Sequence, residues 1–435
     1  MKSTPIAMQR VIPSFILLFM LAYVTTYAQN NLQYYIDQAK SNSPLIEQYR
    51  NEQEGSRLEV ERLRAAYTKA RVSLQGNFLV SPIISRDKGA SVLDWNPFIA
   101  EKYSGYDLAA SNGGAYVGLI NFNQPLFNGK RFKTFASQTN VDIKKNQNKT
   151  QLTYHELEKT VTDQYIQCVK EYRQLEYTNN LLSIINRQQT IISSLVTKGT
   201  ARRSDLSLLI IEQKAQEVAQ NFARSTYWSA LMDLRVLCGI HDTTYQIIEP
   251  PDLTLSSDVE TYKFVEQFRL DSLSLVADQQ IFNLRYKPWT TLFANTGLNA
   301  VYVPTISDRF GLSAGINFGL TLSDGKQRTT MEQRTKTLLR TTQVSKSFFS
   351  KQNMVRKNKI KDELRSLSQR LEIMEEQLVE YQTLLTLYQE ELDRGEVAVV
   401  NYLAALKEMT AANRDYTLML AERELLINEF NYWNW

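Results

Sequence analysis

The sequence predicts a mainly helical chain that carries four amphipathic β-strands and is built from two copies of one unit. Three observations support this fold class. Two helical stretches, at about 130–197 and 326–394, are each followed by a glycine turn and a returning helix. Four short segments alternate between apolar and small polar residues, which is the period of a β-strand with two different faces. Short motifs also recur at one fixed offset along the 435 residues.

The first 28 residues have the pattern of a secretory signal peptide. Basic Lys2 and Arg10 stand before the apolar run 11–24, and the small residue Ala28 precedes Gln29. This run is shorter than the ~20 apolar residues that a membrane-spanning helix needs. We therefore expect an exported chain in which 1–28 is removed. Because no later apolar run is longer, such a chain is either soluble or enters an outer membrane as a β-barrel.

A repeated register indicates internal duplication. Three pairs of motifs are separated by 196 residues: Asn121-Phe122 and Asn317-Phe318, Gly129-Lys130 and Gly325-Lys326, Lys198-Gly199 and Arg394-Gly395. One such match could arise by chance, whereas three at one offset indicate two copies. The sequence therefore predicts a first repeat over 29–239, a connection over 240–261 that we place at the equator of the molecule, and a second repeat over 262–435.

Each copy contains the same elements in the same order. An amphipathic helix is followed by two strands and then by a long helical hairpin. In the first copy these are a helix at about 44–70, strands at about 71–84 and 115–123, and a hairpin at about 130–238. In the second copy they are a helix at about 262–287, strands at about 290–302 and 310–322, and a hairpin at about 326–435. The segment 85–114 between the first two strands is predicted as a long polar loop.

The long helices carry coiled-coil seams. Between Ile360 and Leu392 the apolar residues of the second helix are spaced four and three residues apart, a 3.5-residue repeat. Gly199 and Gly395 end the two long helices, and the chain then returns alongside. Folding the first hairpin about its turn leaves Cys168 and Cys238 ~12 Å apart along the axis. This distance exceeds the ~7 Å that a disulfide spans, so both are predicted to be packed thiols.

The strands raise the question of what covers their apolar sides. In the segment 310–322 every even position is apolar and every odd one is glycine or small and polar. Four strands are too few to close a membrane barrel, which needs about eight. A soluble sheet would need a broad apolar layer, and no other segment supplies one. Three chains that pooled their strands would close a ring of twelve, with lipid outside and a polar channel inside.

Composition and motifs do not support an enzyme or a nucleic-acid-binding protein. The chain has 50 basic and 46 acidic residues, so its bulk charge does not indicate nucleic acid. His155 and His241 are the only histidines, and the sequence lacks the common hydrolase, P-loop and zinc motifs. We expect no enzymatic activity, no catalytic residue, no metal ligand and no cofactor. The basic stretch 326–361 fits a solvated helix face or a cationic length of channel wall.

These features together resemble the TolC family of outer-membrane efflux proteins over nearly all of the chain after the signal peptide. The resemblance is carried by Val117-Gly118-Leu119, by the strand-to-helix join, by the two glycine tips and by the duplicated register. The join consists of Pro125, Leu126, Phe127 and Gly129, with Gly325 as its counterpart in the second copy. The resemblance implies mainly α structure with membrane β structure. Three protomers would form a twelve-stranded outer-membrane β-barrel and a periplasmic helical barrel.

The resemblance also implies partners and sites. The chain would be a homotrimer in outer-membrane lipid that receives cargo through a periplasmic adaptor (membrane fusion) protein from an inner-membrane pump of the RND, ABC or MFS type. The family's tips form the periplasmic mouth and meet the adaptor. The matching residues here are Lys198, Gly199, Thr200, Ala201, Arg202, Arg203, Arg394, Gly395, Glu396 and Val397.

The family narrows this mouth with acidic side chains that the present sequence reproduces only in part. Asn401 and Ala404 stand where the family has acids after the second tip, and Asp205 stands at the equivalent position of the first copy. Asp205 and Asn401 are therefore candidate gate residues, with helix N-capping as the alternative role for both.

The expected function is a passive exit duct of a tripartite efflux or type I secretion system. A periplasmic adaptor and a soluble coiled-coil scaffold are the alternatives. The family's adaptors have a single hairpin within a small β domain, whereas this chain has two hairpins.

Overall fold

The computed structural model describes residues 31–87, 89–95, 100–106, 114–258 and 262–435. The predicted signal peptide, 1–28, lies outside these residues. The helices are α1 (Leu32–Asn42), α2 (Pro44–Thr68), α3 (Gly129–Thr197), α4 (Arg203–Cys238), α5 (Tyr262–Asn283), α6 (Gln327–Asp393) and α7 (Val399–Trp433). The strands are β1 (Arg71–Val80), β2 (Ile83–Ser85), β3 (Val92–Asp94), β4 (Tyr103–Ser104), β5 (Gly114–Leu126), β6 (Trp289–Ala300) and β7 (Phe310–Gly319). Short 3-10 segments lie at Leu284–Tyr286 and Val303–Asp308.

The four long strands form one antiparallel sheet in the order β1-β5-β6-β7. The register aligns residues of equal parity, as in the row Leu74, Ile120, Thr296 and Leu312. The first strand ends at Val80, four residues before the position that the sequence predicted. Pro82 follows, and because proline has no backbone N–H it cannot donate to the ladder.

The segment predicted as a polar loop, 85–114, contributes to a second small sheet. Its strands pair in the order β3-β2-β4. The Asp87 carboxylate fixes the connection, because it accepts hydrogen bonds from the backbone N–H groups of Glu101 (2.8 Å) and Lys102 (2.6 Å). The expectation of a loop without regular structure was therefore wrong, since strands of two or three residues are too short to leave a periodic pattern.

Two helix boundaries differ from the sequence prediction for local reasons. The predicted helix at 44–70 is preceded by a separate helix, α1, and the break falls at Ser43, whose extended backbone is the conformation favoured before a proline. The helix predicted to reach 287 ends at Asn283 and continues as a 3-10 turn before Pro288. The long helices α3 and α6 contain 69 and 67 residues, and none of the described helices is long and apolar enough to cross a membrane.

The chain divides into two compact units, each of which takes segments from both halves of the sequence. The first unit comprises the chain up to Ile46, Leu152–Thr261 and Lys351–Trp435, and the second comprises Glu47–Gln151 and Tyr262–Ser350. The units therefore do not coincide with the two predicted repeats, and the duplication stays a prediction.

The second unit holds the four-stranded sheet and is bound together around α5. On one side, Asn148 of α3 donates a hydrogen bond to Gln267 (3.2 Å). On the other side, Thr335 of α6 donates one to Gln279 (2.8 Å), and the ring of Phe349 lies 5.8 Å from that of Phe268. Helix α5 is thus held by both long helices.

The first unit has a core in which α1, α3 and α4 pack around Tyr165 and Tyr227. Cys168 and Cys238 are both free and buried in this core, as the sequence predicted, and burial raises the pKa of each thiol to about 12. Such thiols are unreactive at neutral pH.

A buried arginine attaches the connection after α4 to this core. The side chain of Arg235 is 3% exposed, and its guanidinium donates to the carbonyl oxygens of Asp242 (3.1 Å) and Thr244 (2.6 Å). It also donates to the side-chain amide oxygen of Gln246 at 3.2 Å. The connection is therefore a fixed part of the unit.

The end of α7 also contacts this connection. Asn431 donates to the carbonyl oxygen of Thr254 (2.9 Å) and Asn434 to that of Ser257 (2.7 Å). His155 is stacked between the rings of Tyr432 and Trp435, at 4.8 and 4.1 Å. His155 is therefore half-buried and packs against the aromatic residues at the end of the chain.

Candidate functional site

The first hairpin tip is a glycine turn in the left-handed conformation. Gly199 has a φ of 76°, and its N–H donates to the carbonyl oxygen of Val196 at 3.0 Å. The N–H of Thr200 reaches back to Leu195 at 3.0 Å. These are the bonds of a helix C-terminus that ends on a left-handed residue, and glycine occupies that conformation without a Cβ clash.

The second tip repeats this geometry. Gly395 has a φ of 77°, its N–H donates to Leu392 at 3.0 Å, and the N–H of Glu396 donates to Glu391 at 2.8 Å. Arg394 forms an exposed ion pair with Glu396 at 3.1 Å, a type of contact that stabilises by less than about 1 kcal/mol. The tip side chains Lys198, Arg202 and Arg203 are exposed as well.

Both tips rest on one apolar cluster, which we call the tip cluster. It joins the hairpin α3–α4 to the hairpin α6–α7, and Ala201 and Val397 of the turns pack against it. Its buried residues are Leu181, Ile185, Ile192, Leu209, Leu392, Val399, Tyr402, Leu403 and Leu406. Burial raises the pKa of the Tyr402 hydroxyl to about 12. The arrangement holds the two turns of one chain at a fixed mutual position.

The candidate gate residues follow the two turns but have different local roles. Asp205 lies in the first turn of α4, where its carboxylate accepts a hydrogen bond from the backbone N–H of Arg202, the residue before the helix (3.4 Å). Asn401 is exposed in the first turn of α7, and the residue before that helix, Ala398, has no capping side chain. The alternative role that the sequence gave Asp205, helix capping, is thus present in the geometry.

Polar contacts between the two hairpins extend from the tip cluster. The buried carboxylate of Glu212 on α4 pairs with the exposed Lys407 of α7 at 3.0 Å. Farther along, Arg173 of α3 pairs with Glu424 of α7 at 3.1 Å, and burial raises the pKa of Glu424. Sequence reasoning missed these pairs because their partners are about two hundred residues apart and lie on different hairpins.

Each of the two strand-to-helix joins contains residues in the left-handed backbone conformation. In the first join the left-handed residue is Phe127, with a φ of 56° and a side chain that is 91% exposed, while Gly129 begins α3 with an ordinary backbone. In the second join Gly325 (φ 60°) and Lys326 (φ 72°) are both left-handed. Pro125 and Leu126 complete β5, opposite Thr291 and Thr290.

The register sorts the side chains of the four-stranded sheet onto two chemically distinct faces. One face is apolar and includes Val72, Leu74, Phe78, Ile120, Phe122, Leu292, Leu298, Phe310, Leu312, Ile316 and Phe318. The other carries mostly asparagine, serine, threonine and glycine, with hydrogen bonds such as that from Ser313 to Asn295 (2.7 Å). The outer strands leave the apolar face open, since Leu74 and Leu312 are 81% and 79% exposed.

In the described part of the chain no group of three or more histidine, cysteine or carboxylate side chains could hold a metal ion. His241 is exposed on the connection after α4.

Long paired hairpins and a small sheet with one open apolar face define the class of fold, that of the TolC-type outer-membrane channels. No family model and no curated protein sequence matches the chain. Solved structures match it over most of its length. VceC, an outer membrane protein of Vibrio cholerae, has a TM-score of 0.67 and 14% identity, over 93% of this chain and 96% of that one.

Two further channels give the same result. The CmeC outer membrane channel of Campylobacter jejuni has a TM-score of 0.68 and 10% identity, over 93% of this chain and 85% of that one. The MtrE outer membrane channel of Neisseria gonorrhoeae, solved in an open state, has a TM-score of 0.67 and 11% identity, over 93% and 89% of the two chains. The chain thus shares the fold of these channels over most of its length.

Proposed function

We propose that this chain is one protomer of a homotrimeric exit duct in the outer membrane, which passively conducts cargo delivered by an inner-membrane pump. The observation that carries the proposal is the open apolar face of the four-stranded sheet on a chain with the fold of outer-membrane channels. A face with Leu74 and Leu312 about four-fifths exposed is unfavourable in water but suited to lipid.

Pooling of strands between copies explains the two unpaired edges of this sheet. Strands β1 and β7 each lack a neighbour on one side in the described chain. Unpaired backbone groups cost several kcal/mol each in hydrocarbon, so the sheet needs partners before it enters a membrane. If β7 of each copy paired with β1 of the next, three copies would form a closed ring of twelve strands with the polar face around the channel.

Unpartnered apolar stripes on the long helices support association of copies as well. On α4, Ile211, Val218, Phe222 and Val236 are all more than 60% exposed and lie on one side of the helix. Val344, Phe348, Val355 and Ile373 form a similar stripe on α6. Neighbouring protomers that paired these stripes would bury them as coiled-coil seams and form the proposed periplasmic barrel.

The first test places a charge on the proposed lipid face. We expect Leu312→Arg to abolish membrane integration, because an arginine at the midplane of such a barrel costs about 2–4 kcal/mol and a trimer carries three. The matched control is Ser313→Arg on the polar face. Integration is measured as the chain retained in the envelope pellet after alkaline extraction, and its oligomeric state by cross-linking in detergent.

A soluble scaffold or adaptor would behave in the opposite way. Leu312 is already exposed, so its replacement would leave a water-soluble chain unaffected. Equal integration of both variants, or a stable monomer in water without detergent, contradicts the duct.

The tips are proposed as the periplasmic mouth and adaptor-docking surface. The exposed cations Lys198, Arg202, Arg203 and Arg394 would provide charged contacts to the adaptor around the two glycine turns. Asp205 and Asn401 are proposed to narrow the mouth, since both lie in the first turns of the returning helices.

Two variants separate gating by Asp205 from helix capping. Asp205→Asn keeps an oxygen for the Arg202 N–H but removes the charge, whereas Asp205→Ala removes both. If the carboxylates narrow the mouth, each variant changes single-channel conductance by about twofold or more and alters drug sensitivity. If only Asp205→Ala changes the conductance, Asp205 acts as a helix cap, which contributes about 1 kcal/mol to stability. Unchanged conductance in both removes Asp205 from the gate.

A further inference from the structure

The two ends of the strands in the four-stranded sheet differ chemically. In this subsection, an edge is the border of the sheet formed by one set of strand ends, not an outer strand. At one edge, which we call the helix-side edge, Leu126 pairs with Thr290 and Thr290 with Phe318. Four segments leave the sheet there: 69–71, 127–133, 285–289 and 320–328. The opposite edge, which we call the loop-side edge, consists of 81–106 and 301–309.

Basic residues are concentrated at the helix-side edge. Its four segments contain nine lysines and arginines and a single acid, Asp324. The described part of the loop-side edge contains three basic residues, Arg86, Lys102 and Arg309, and four acids, Asp87, Asp94, Glu101 and Asp308. The sheet therefore separates a strongly cationic edge from a nearly neutral one.

Most of these cations have no counter-ion among the residues that the structure describes. Six are exposed and make no ion pair with another described residue: Lys69, Arg71, Lys130, Lys133, Lys287 and Lys326. The acid at this edge is already engaged, because Asp324 accepts hydrogen bonds from the backbone N–H groups of Lys326 (2.9 Å) and Arg328 (2.8 Å) at the start of α6.

The other three cations at this edge do have partners nearby. Arg131 donates to the carbonyl oxygen of Lys287 at 2.6 Å, Arg285 lies over the ring of Phe282, and Arg328 pairs with Glu332 at 3.3 Å. The six unpaired side chains are thus the ones available to an external anion.

Large apolar side chains project from the same edge. Phe127 and Leu322 are 91% and 90% exposed, and Trp289 and Leu320 are about half exposed. The left-handed backbone at Phe127 is unfavourable for a bulky residue, and the almost fully exposed side chain gains little from packing among the described residues. Exposed aromatic residues beside unpaired cations are typical of a membrane–water interface.

We propose that the helix-side edge binds the phosphate groups of anionic phospholipids in the leaflet that faces the long helices. This inference rests on the proposed membrane function and adds a lipid class to it. Phe127 and Leu322 enter the boundary between headgroups and acyl chains. The five unpaired cations outside the strands, Lys69, Lys130, Lys133, Lys287 and Lys326, lie at the level of the phosphates. The charge difference between the two edges also gives the sheet its orientation in the bilayer.

Boundary-lipid selectivity tests this inference. The full chain is reconstituted in phosphatidylcholine vesicles that contain a trace of spin-labelled phosphatidylglycerol or spin-labelled phosphatidylcholine. The fraction of immobilised label gives the relative association constant of the two lipids. We expect a preference of about threefold or more for phosphatidylglycerol, because each cation near an anionic surface contributes up to about fivefold. The preference should fall as KCl screens the charges.

Two triple variants assign the preference to the edge. Lys130→Gln, Lys133→Gln and Lys326→Gln together should reduce it to near one. The control is Lys214→Gln, Lys351→Gln and Lys359→Gln, three exposed lysines on the long helices outside the edge. Equal preference in both variants, or none in the unmodified chain, overturns the inference. If inorganic phosphate added at constant ionic strength abolishes the preference, the edge binds soluble anions. This outcome also overturns the inference.

Failure of the membrane function is distinguishable from failure of this inference. A chain that does not enter vesicles contradicts the exit duct, and the lipid preference is then measured in mixed detergent micelles with the same variants. Integration without phosphatidylglycerol preference contradicts only the lipid site.

Discussion

Replacing Gly297 with alanine is expected to disrupt the central strand pair of the sheet and to abolish recovery of folded protein. Gly297 on β6 has a φ of 145°, which residues with a side chain rarely adopt, and a Cβ there would lie 2.1 Å from the carbonyl oxygen of Gly118 on β5. Backbone strain alone costs about 1–3 kcal/mol, and relief of the clash requires separation of the strands that hold the halves of the sheet together.

The neighbouring strand supplies a matched control for this substitution. Gly311 on β7 pairs directly with Gly297, but a Cβ added to it meets nothing within 4 Å and its backbone is ordinary. Gly311→Ala should therefore fold with normal yield. The measurement is the amount of folded protein recovered in detergent, together with its thermal unfolding midpoint. Equal yields of the two variants would show that β5 and β6 are not as closely apposed as described.

Replacing Arg235 with methionine is expected to have the largest effect on the helical part of the chain. The substitution keeps the apolar stem but removes donors to two carbonyl oxygens and to Gln246. Hydrogen bonds to a charged group contribute about 1.5–3 kcal/mol each, so the loss of three has a large effect on stability. We expect a lower thermal midpoint by circular dichroism and rapid proteolysis within the connection after α4.

Two further variants test whether the loss of stability depends on the guanidinium group and on the buried position of Arg235. Arg235→Lys keeps the charge but loses the planar fork that reaches several acceptors at once, so an intermediate loss is expected. Arg224→Met, on the exposed side of the same helix, should change stability by no more than about 0.5 kcal/mol. If Arg235→Met matched Arg224→Met, the connection would be held by its other contacts, such as the Tyr165 hydroxyl on Glu249.

The candidate site was predictable where its signal is local. A glycine at the end of a heptad seam predicts a helix-ending turn, and Gly199 and Gly395 have almost the same left-handed φ. The join was less predictable, since the left-handed residue there is Phe127 and not Gly129. The pair Glu212–Lys407 could not be predicted, because neither residue has a local partner that identifies the other.

By itself, the sequence determined the long helices, the amphipathic strands and the tight turns. These depend on side-chain period and on the conformational freedom of single residues, which act over a few positions. Only the tertiary structure decided the strand register, which gathers four separate apolar stripes onto one open face and nine cations at one edge. It also decided which charges are buried and paired. Such features depend on residues far apart in the chain, and no local pattern encodes how those residues meet.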